Sequence, residues 1–170
     1  MIFSSKYKLL LYISFIVIID QIFKFLVYKN LEPNEIYQIT HIKSILNICY
    51  ISNSGLAFGL FSDYKYIKIF IITARILFFV YIFKNFCLKN KKHLDIGWGF
   101  ICGGGISNTI DFFVYNSVID MFYFDFASYV GIEYFYNISF NLADIFILTG
   151  IIILFLYRNS NNSDNNFCKI

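Results

Sequence analysis

Four long apolar stretches, separated by more polar segments, dominate the pattern along this chain. They run over residues 9–28, 68–86, 94–114 and 140–157. Each is close to the length that an α-helix needs to cross the hydrocarbon core of a bilayer, about 20 residues. The pattern therefore predicts a mainly α-helical membrane protein with four transmembrane helices.

The polar segments between these stretches differ in character. Residues 29–67 contain the runs IYQIT and SILNICYIS, in which β-branched and aromatic residues partly alternate with polar ones, so a small β-sheet is predicted there. Residues 115–139 are aromatic and irregular, and predict an interfacial loop or short helix. Residues 159–170 are polar and low in complexity, which predicts a disordered tail after a single membrane domain over residues 1–158.

Composition and charge support a membrane protein and set its orientation. The chain is 58% hydrophobic and 15% charged, and its net charge of +3 is too weak to indicate nucleic-acid binding. Basic residues favour the cytoplasmic side of a membrane protein. The orientation with both termini in the cytoplasm, and the β-sheet outside, places more of them inside: Lys6, Lys8, Lys84, Lys89, Lys91, Lys92, Arg158 and Lys169, against Lys29, Lys43, Lys65 and Lys68 outside.

This orientation brings acidic residues from separate parts of the sequence to one depth. Asp20 lies past the middle of the first stretch, Asp111 near the end of the third, Asp120 on the following loop, and Asp144 at the start of the fourth. All four then lie near the outer membrane face. Carboxylates are costly in such surroundings, so each is expected either to be paired or to take part in chemistry.

Three of the polar motifs allow a structural and a functional interpretation. Asp20 and Lys24 are four residues apart on one helix face, where they form a self-neutralising pair or brace a catalytic site. Asn108 and Asp111 share a face of the third helix, either as a polar cap or as a support for a neighbouring side chain. The NSGLAFG stretch over 53–59 is an ordinary turn, or it offers an amide, a flexible backbone and a small apolar platform to a site.

Asp120 and Asp144 offer the most specific chemistry. Two carboxylates brought to one water molecule share a proton, so that one is a base and the other an acid at neutral pH. Both histidines, His41 and His93, are far from this cluster in the sequence, and the four cysteines show no CxxC or metal spacing. An aspartic hydrolase without metal or cofactor is one interpretation, and a transporter or a structural bundle stays open at this point.

These residues occur in motifs that resemble those of the lipoprotein signal peptidases, or signal peptidase II. Members are aspartic proteases of the bacterial inner membrane with four spans. The motifs occur in the family order over residues 20–148. They are DQxxK (Asp20, Gln21, Lys24), NxGxAFG (Asn53, Gly55, Ala57, Phe58, Gly59), GGxxxNxxD (Gly103, Gly104, Asn108, Asp111), VxD (Val118, Asp120) and FNxAD (Phe140, Asn141, Ala143, Asp144).

The resemblance implies that Asp120 and Asp144 are the catalytic dyad. It implies a supporting or substrate-binding role for Asp20, Lys24, Asn53, Gly55, Asn108, Asp111 and Asn141. The substrate implied is a prolipoprotein that carries a diacylglyceryl group, cut just before its lipidated cysteine. The enzyme is then expected to be a monomer in contact with membrane lipid, in the bacterial inner membrane, with its site near the periplasmic face and no cofactor or metal.

Three positions depart from the family pattern. Phe112 stands where the family usually has Arg, Ser107 where it has Gly, and a Gly is usual near Asn116. We hypothesise that Lys24, Arg75 or a main-chain donor substitutes for the missing Arg. Two alternatives stay open: a non-catalytic membrane protein descended from the family, which the Phe112 departure favours, and a small proton or ion transporter that uses the same carboxylates.

Overall fold

The computed structural model describes residues 5–37, 46–53, 95–125 and 138–167, together with helical positions scattered between 66 and 84. The described elements comprise α1 (Ser5–Asn30), α2 (Asp95–Tyr115) and α3 (Leu142–Phe167), with four strands. The three helices coincide with three of the four apolar stretches. The prediction of a mainly helical protein with a small sheet is therefore confirmed.

The membrane-spanning character differs between the helices. Within the described part of the chain, the segment Tyr7–Asn30 of α1 is the one long and apolar enough to cross a membrane, with a mean hydropathy of 2.1. The apolar part of α3, Leu142–Tyr157, is shorter. The number of transmembrane helices thus stays a prediction.

The last helix extends beyond its apolar part. The composition of residues 159–170 predicts a disordered tail, but α3 continues to Phe167. This segment contains neither Gly nor Pro, so nothing in it interrupts a helix that has already been nucleated. Residues 168–170 lie outside the described part.

Glycines allow α2 to pack closely between α1 and α3. A Cβ atom on Gly103 would lie 2.9 Å from the Cβ of Ile16 in α1, and one on Gly104 would lie 2.5 Å from the carbonyl oxygen of Ala143 in α3. No larger residue fits at Gly104, because the obstructing atom belongs to the backbone. The close approach therefore fixes the start of α3, which carries Asp144, against the middle of α2.

The sheet has four antiparallel strands in the order β1 (Ile36–Tyr37), β2 (Leu46–Asn53), β3 (Val118–Phe124) and β4 (Ile138–Phe140). The prediction of an irregular segment over 115–139 was wrong for β3 and β4. The sequence of β3 has the β-branched and aromatic composition of a strand, but its partner β2 is about 70 residues earlier, and such pairing is not visible in local pattern. Residues 126–137 lie outside the described part.

The sheet packs against the C-terminal end of α1. Val27 of α1 forms a buried cluster with Tyr50 of β2 and with Ile119 and Met121 of β3. Burying these side chains together fixes the sheet relative to α1 through the hydrophobic effect. Asp120, between the two β3 members of this cluster, is thereby held in a defined position.

A tight connection joins α2 to β3. Asn116 adopts a left-handed conformation with φ of 57°, and β3 begins two residues later at Val118. Asn is one of the few non-glycine residues that adopt this conformation readily, which explains how it stands near a position where Gly is usual in the family. The reversal returns the chain so that the Ile119 N–H donates to Asp111 Oδ2 at 3.3 Å.

Candidate active site

A buried lysine joins α1 to α2. Lys24 of α1 is 1% exposed, and its Nζ lies 2.7 Å from Asp20 Oδ2 and 2.6 Å from Asp111 Oδ2. The same Nζ donates to Asn108 Oδ1 at 2.8 Å. The i, i+4 pair that the sequence suggests is present, and Asp111 of α2 completes it. We call Asp20, Lys24 and Asp111 the Lys24 cluster.

Two further side chains complete the hydrogen bonds of this cluster. Ser107, which is fully buried, donates to Asp20 Oδ2 at 2.7 Å. Gln21 Nε2 donates to Asp111 Oδ1 at 2.7 Å and to Ser107 Oγ at 3.0 Å. Each carboxylate of the Lys24 cluster therefore has a cationic partner and neutral donors, as buried charges require.

The Lys24 cluster also contacts the start of α3. Asp20 Oδ1 accepts a hydrogen bond from the Ala143 N–H at 2.9 Å. The first N–H groups of a helix have no partner within the helix, so a carboxylate there satisfies a donor and interacts favourably with the helix dipole. Asp20 thus fixes the helix turn that carries Asp144.

Asn141 and Asp144 form a reciprocal cap at the N-terminus of α3. Asn141 Oδ1 accepts from the Asp144 N–H at 3.0 Å, and Asp144 Oδ2 accepts from the Asn141 N–H at 3.1 Å. This is the capping-box arrangement, with Asn and Asp in place of the more usual Ser and Glu. Asp144 Oδ1 also accepts from Asn108 Nδ2 at 3.0 Å, so the carboxylate is held at both oxygens.

Asp120 lies opposite this cap on β3. Its Oδ1 accepts from Asn141 Nδ2 at 3.1 Å, and its Oδ2 accepts from Ser139 Oγ at 2.7 Å and from Asn53 Nδ2 at 3.4 Å. Asn141 therefore bonds both carboxylates, that of Asp120 through its side-chain amide NH2 and that of Asp144 through its backbone N–H. We call Asp120 and Asp144 the dyad.

The environment of Asp120 favours its protonated form. Its side chain is 2% exposed, and burial raises its pKa most. The nearby Asp144 raises the pKa further, while the donors on Ser139, Asn53 and Asn141 lower it, and the net pKa is about 6. Such a carboxyl group can gain and lose a proton near neutral pH, as a general acid or base must.

Three comparisons place the chain among known proteins. A family model described as "Signal peptidase (SPase) II" matches residues 12–159. The chain belongs to the signal peptidase II family. It is 39% identical over 157 residues to a lipoprotein signal peptidase of Chlamydia felis, across 88% of this chain and 89% of that protein. It is 33% identical to one of Clostridium tetani, across 83% and 85% of the two chains.

Solved structures support the same fold. A bacterial membrane enzyme superposes with a TM-score of 0.76 at 21% identity, across 92% of this chain and 90% of that one. A second bacterial membrane enzyme gives a TM-score of 0.70 at 22% identity. The two likenesses show that this member of the signal peptidase II family shares the fold of those proteins.

The structure brings together the candidate residues of this signal peptidase II sequence that it describes. The nine candidates are named above, and Gly55 is the one that lies outside the described residues. The eight others contact one another directly or through one residue: Asp20, Lys24, Asn53, Asn108, Asp111, Asp120, Asn141 and Asp144. Their separation along the chain is bridged by the packing of α1, α2, α3 and the sheet.

Sequence reasoning missed three side chains of this arrangement. Gln21 and Ser107 bond the Lys24 cluster, and Ser139 bonds the dyad. Gln21 is part of the DQxxK motif and could have been found there. It lies nearly one helical turn before Lys24, so both side chains can reach Asp111. Ser107 attracts attention only as a departure from the family pattern, and Ser139 carries no signal in the sequence.

Lys24, one side chain suggested as a substitute for the missing Arg, is engaged within the Lys24 cluster. Lys24 Nζ already has three partners, which matches the number of its donor hydrogens. Phe112 itself is 5% exposed. Arg75, the other candidate side chain, lies outside the described residues.

Among the described residues, no group of three or more His, Cys, Asp or Glu side chains could hold a metal ion.

Proposed function

We propose that this chain is an aspartic endopeptidase that removes the signal peptide from diacylglyceryl-modified prolipoproteins, with Asp120 and Asp144 as its catalytic dyad. Membership of the signal peptidase II family supports the reaction and the substrate class. The observation that carries the assignment of the dyad is the bridge through Asn141. One residue holds a β3 carboxylate and an α3 carboxylate side by side, which is the requirement for two carboxylates that act on one water molecule.

In the proposed reaction the dyad starts with one proton shared between two carboxyl groups. The ionised aspartate takes a proton from water, whose oxygen attacks the scissile carbonyl carbon. The protonated aspartate gives its proton to the carbonyl oxygen, and a neutral gem-diol results. The first aspartate then gives the proton it took to the amide nitrogen as the C–N bond breaks. A proton from the gem-diol returns to the second aspartate, so the dyad ends with one proton.

The Lys24 cluster has a supporting role in this proposal. Lys24 donates to Asn108 Oδ1, so Asn108 must present its Nδ2 to Asp144. Asp20 caps the helix turn that precedes Asp144. Both interactions restrain the position and orientation of Asp144, and restraint of a reacting group within fractions of an ångström contributes to rate.

We further propose a four-span arrangement with both termini in the cytoplasm and the site near the outer face of the bacterial inner membrane. The functional residues lie toward the C-terminal ends of α1 and α2 and at the N-terminal end of α3, so they share one end of the helices. The sheet packs at that same end. Large apolar residues exposed along α1, such as Leu11, Phe15 and Ile18, fit contact with lipid.

This depth suits the proposed substrate, a prolipoprotein whose lipid chain anchors it in the outer leaflet. Residues 1–158 then form one peptidase domain that works as a monomer. A non-catalytic relative and a proton transporter are less well supported, because the described site keeps both carboxylates of the dyad and its amide donors intact.

The test is cleavage of a diacylglyceryl-modified prolipoprotein by the purified protein and its Asp120→Asn and Asp144→Asn variants. Each variant removes the ionisable proton at constant size, so we expect turnover to fall by roughly 10²–10⁴-fold or more. Glu32→Gln, at an exposed carboxylate outside the site, is the matched control and should keep full activity. Cleavage by both dyad variants at the wild-type rate would exclude the dyad, and equal cleavage of unmodified prolipoprotein would exclude the substrate class.

A further inference from the structure

Ser139 makes the shortest hydrogen bond described for either carboxylate of the dyad. Its Oγ lies 2.7 Å from Asp120 Oδ2, whereas the amide donors Asn141 and Asn53 lie 3.1 and 3.4 Å from Asp120 oxygens. Ser139 is in β4, next to the Phe140 that pairs with Phe122 of β3. The pairing of β4 with β3 therefore places this hydroxyl beside Asp120.

The partners of the dyad differ in what they can do when a carboxyl group gains a proton. An amide NH2 group or a backbone N–H only donates, whereas a hydroxyl group donates or accepts after rotation about its C–O bond. Asn141 cannot turn its oxygen toward Asp120, because that oxygen accepts from the Asp144 N–H. Asn108 cannot turn its oxygen toward Asp144, because that oxygen accepts from Lys24.

Ser139 is therefore a partner of the dyad that can serve both protonation states of its carboxylate by rotation of a single hydroxyl. When Asp120 is ionised, the hydroxyl donates to Oδ2. When Asp120 is protonated at Oδ2, the hydroxyl oxygen accepts from it. The partners described for Asp144, the Asn141 N–H and Asn108 Nδ2, are both fixed donors, and these favour the ionised form.

The positions of the two carboxylates, like their hydrogen-bond partners, favour a proton on Asp120 rather than on Asp144. Asp144 lies in the first turn of α3, where the helix dipole favours an anion, and it is partly exposed. Asp120 lies on a strand, is 2% exposed and has a pKa raised to about 6. Both differences favour a proton on Asp120 and a charge on Asp144.

We propose that Asp120 is the proton-carrying member of the dyad at rest, with Asp144 as the base, and that Ser139 is a positioning residue whose hydroxyl serves Asp120 both before and after it gives up that proton. This inference rests on the proposed function and deepens it. In the reaction, Asp144 takes the proton from water while Asp120 gives its Oδ2 proton to the carbonyl oxygen of the substrate. The Ser139 hydroxyl then rotates from acceptor to donor and stabilises the new Asp120 carboxylate.

Other ionisable groups around Asp120 do not titrate in its place. Cys49 of β2 donates from Sγ to the Asp120 carbonyl oxygen at 3.6 Å, and burial raises its pKa to about 12, so it stays neutral. From α3, Asp144 is the partner in the dyad. From α1 and α2, the charged groups of the Lys24 cluster reach the dyad through Asn108 and Ala143. Asp111 contacts β3 by accepting a hydrogen bond from the Ile119 N–H.

The test is the pH dependence of prolipoprotein cleavage by wild type and Ser139→Ala. In the proposed assignment the alkaline limb of the kcat profile reports loss of the proton from Asp120. Removing the hydroxyl takes a donor from the ionised form, so the alkaline limb should move up by about one pH unit. The kcat should fall by about 10- to 100-fold, because the carboxylate formed on proton donation is less stabilised, while KM should change little.

Two further variants separate this role from a structural one. Ser139→Thr keeps a hydroxyl at a strand position and should restore both the wild-type rate and the wild-type alkaline limb. Ser52→Ala removes a hydroxyl of the same sheet whose partner is Ser117 rather than the dyad, and should leave the profile unchanged. A superimposable profile for Ser139→Ala, or a loss of rate that Ser139→Thr does not restore, would overturn the proposal.

A measurement without substrate keeps the proposal testable if a variant cleaves too slowly. Infrared difference spectroscopy of the protonated carboxyl stretch should show a band near neutral pH that Asp120→Asn removes and Asp144→Asn retains. In Ser139→Ala this band should persist to higher pH. A band that Asp144→Asn removes instead would reverse the assignment, while an inactive wild type with the expected band would count against the proposed function alone.

Discussion

Two groups of carboxylates lie close together in this protein, and their hydrogen-bond partners differ in charge. In the Lys24 cluster, one lysine bonds two aspartates at 2.7 and 2.6 Å, and all three side chains are almost fully buried. In the dyad, the partners described for Asp120 and Asp144 are amides, a hydroxyl and a backbone N–H, without a cation among them. The two groups are joined by Asn108 and by the capped end of α3.

The difference separates a structural role from a chemical one. A carboxylate bound to a buried lysine has an opposite charge beside it, and replacing the lysine would leave a buried charge without its partner. A carboxylate held by neutral donors can exchange a proton without exposing an unpaired charge. The same residue type in the same low-dielectric surroundings is therefore a fixed support in one group and an acid or base in the other.

Replacing the lysine should have the largest effect on stability. Lys24→Met keeps the length and apolar stem of the side chain but leaves Asp20 and Asp111 as unpaired buried charges, which should lower the free energy of unfolding by about 3–5 kcal/mol. Lys29→Met, at an exposed lysine of the same helix, is the matched control and should change stability little. Thermal unfolding in detergent measures both, and equal stability of the two variants would mean that the Lys24 cluster does not support the fold.

The same Asp→Asn substitution should change stability in opposite directions in the two groups. Asp111→Asn removes one of two anions from Lys24 and should destabilise the protein by about 2–3 kcal/mol. Asp120→Asn removes a carboxylate whose ionised form is disfavoured by burial, and should stabilise the protein by about 1–3 kcal/mol at pH 7.5.

The pH dependence of the Asp120→Asn effect provides its own control. The pKa of Asp120 is raised in the folded protein to about 6 from an ordinary value of 3.8. The loss of folding free energy that comes from burying this charge is therefore fully present above about pH 6, and it disappears as the pH falls toward 4. Unfolding midpoints of wild type and Asp120→Asn should converge at pH 4, and a constant difference across this range would contradict the assigned pKa.

Ser107 tests whether a departure from the family pattern contributes to the Lys24 cluster. Ser107→Gly restores the usual family residue but removes the donor to Asp20 and the acceptor for Gln21. We expect a loss of about 1–2 kcal/mol from the unpaired polar groups and from glycine within a helix. Ser107→Ala removes the hydroxyl alone and should account for most of the loss, so a fully stable alanine variant would show that the hydroxyl is dispensable.

The sequence predicts the parts of this fold that depend on local pattern. The helices α1, α2 and α3 follow from runs of apolar residues, and the pair of Asp20 with Lys24 follows from helical spacing alone. The strands β3 and β4 do not follow, because aromatic residues occur throughout the chain and the pairing with β2 joins distant segments.

The site shows the same division between local and distant contacts. The motifs identify the candidate carboxylates and asparagines, but they do not indicate that Asn141 reaches Asp120 or that Lys24 bonds Asp111. Ser139 escapes sequence reasoning altogether, since its role arises from strand pairing rather than from a motif. What the sequence lacks is therefore the tertiary geometry that decides which polar residues meet.

The smallest predicted effect concerns the connection between the two groups of carboxylates. Asn116 lies between Asp111 of the Lys24 cluster and Asp120 of the dyad, and its φ of 57° is in the left-handed region. Asn116→Gly should change stability by less than about 0.5 kcal/mol, because glycine adopts this conformation without strain although it loses more entropy on folding. Asn116→Ala should cost about 1–2 kcal/mol, since a Cβ atom disfavours the conformation and alanine lacks the polar side chain. Unfolding of the two variants separates backbone strain from side-chain contacts: if glycine destabilises as much as alanine, the Asn116 side chain rather than its backbone conformation holds the two groups in register.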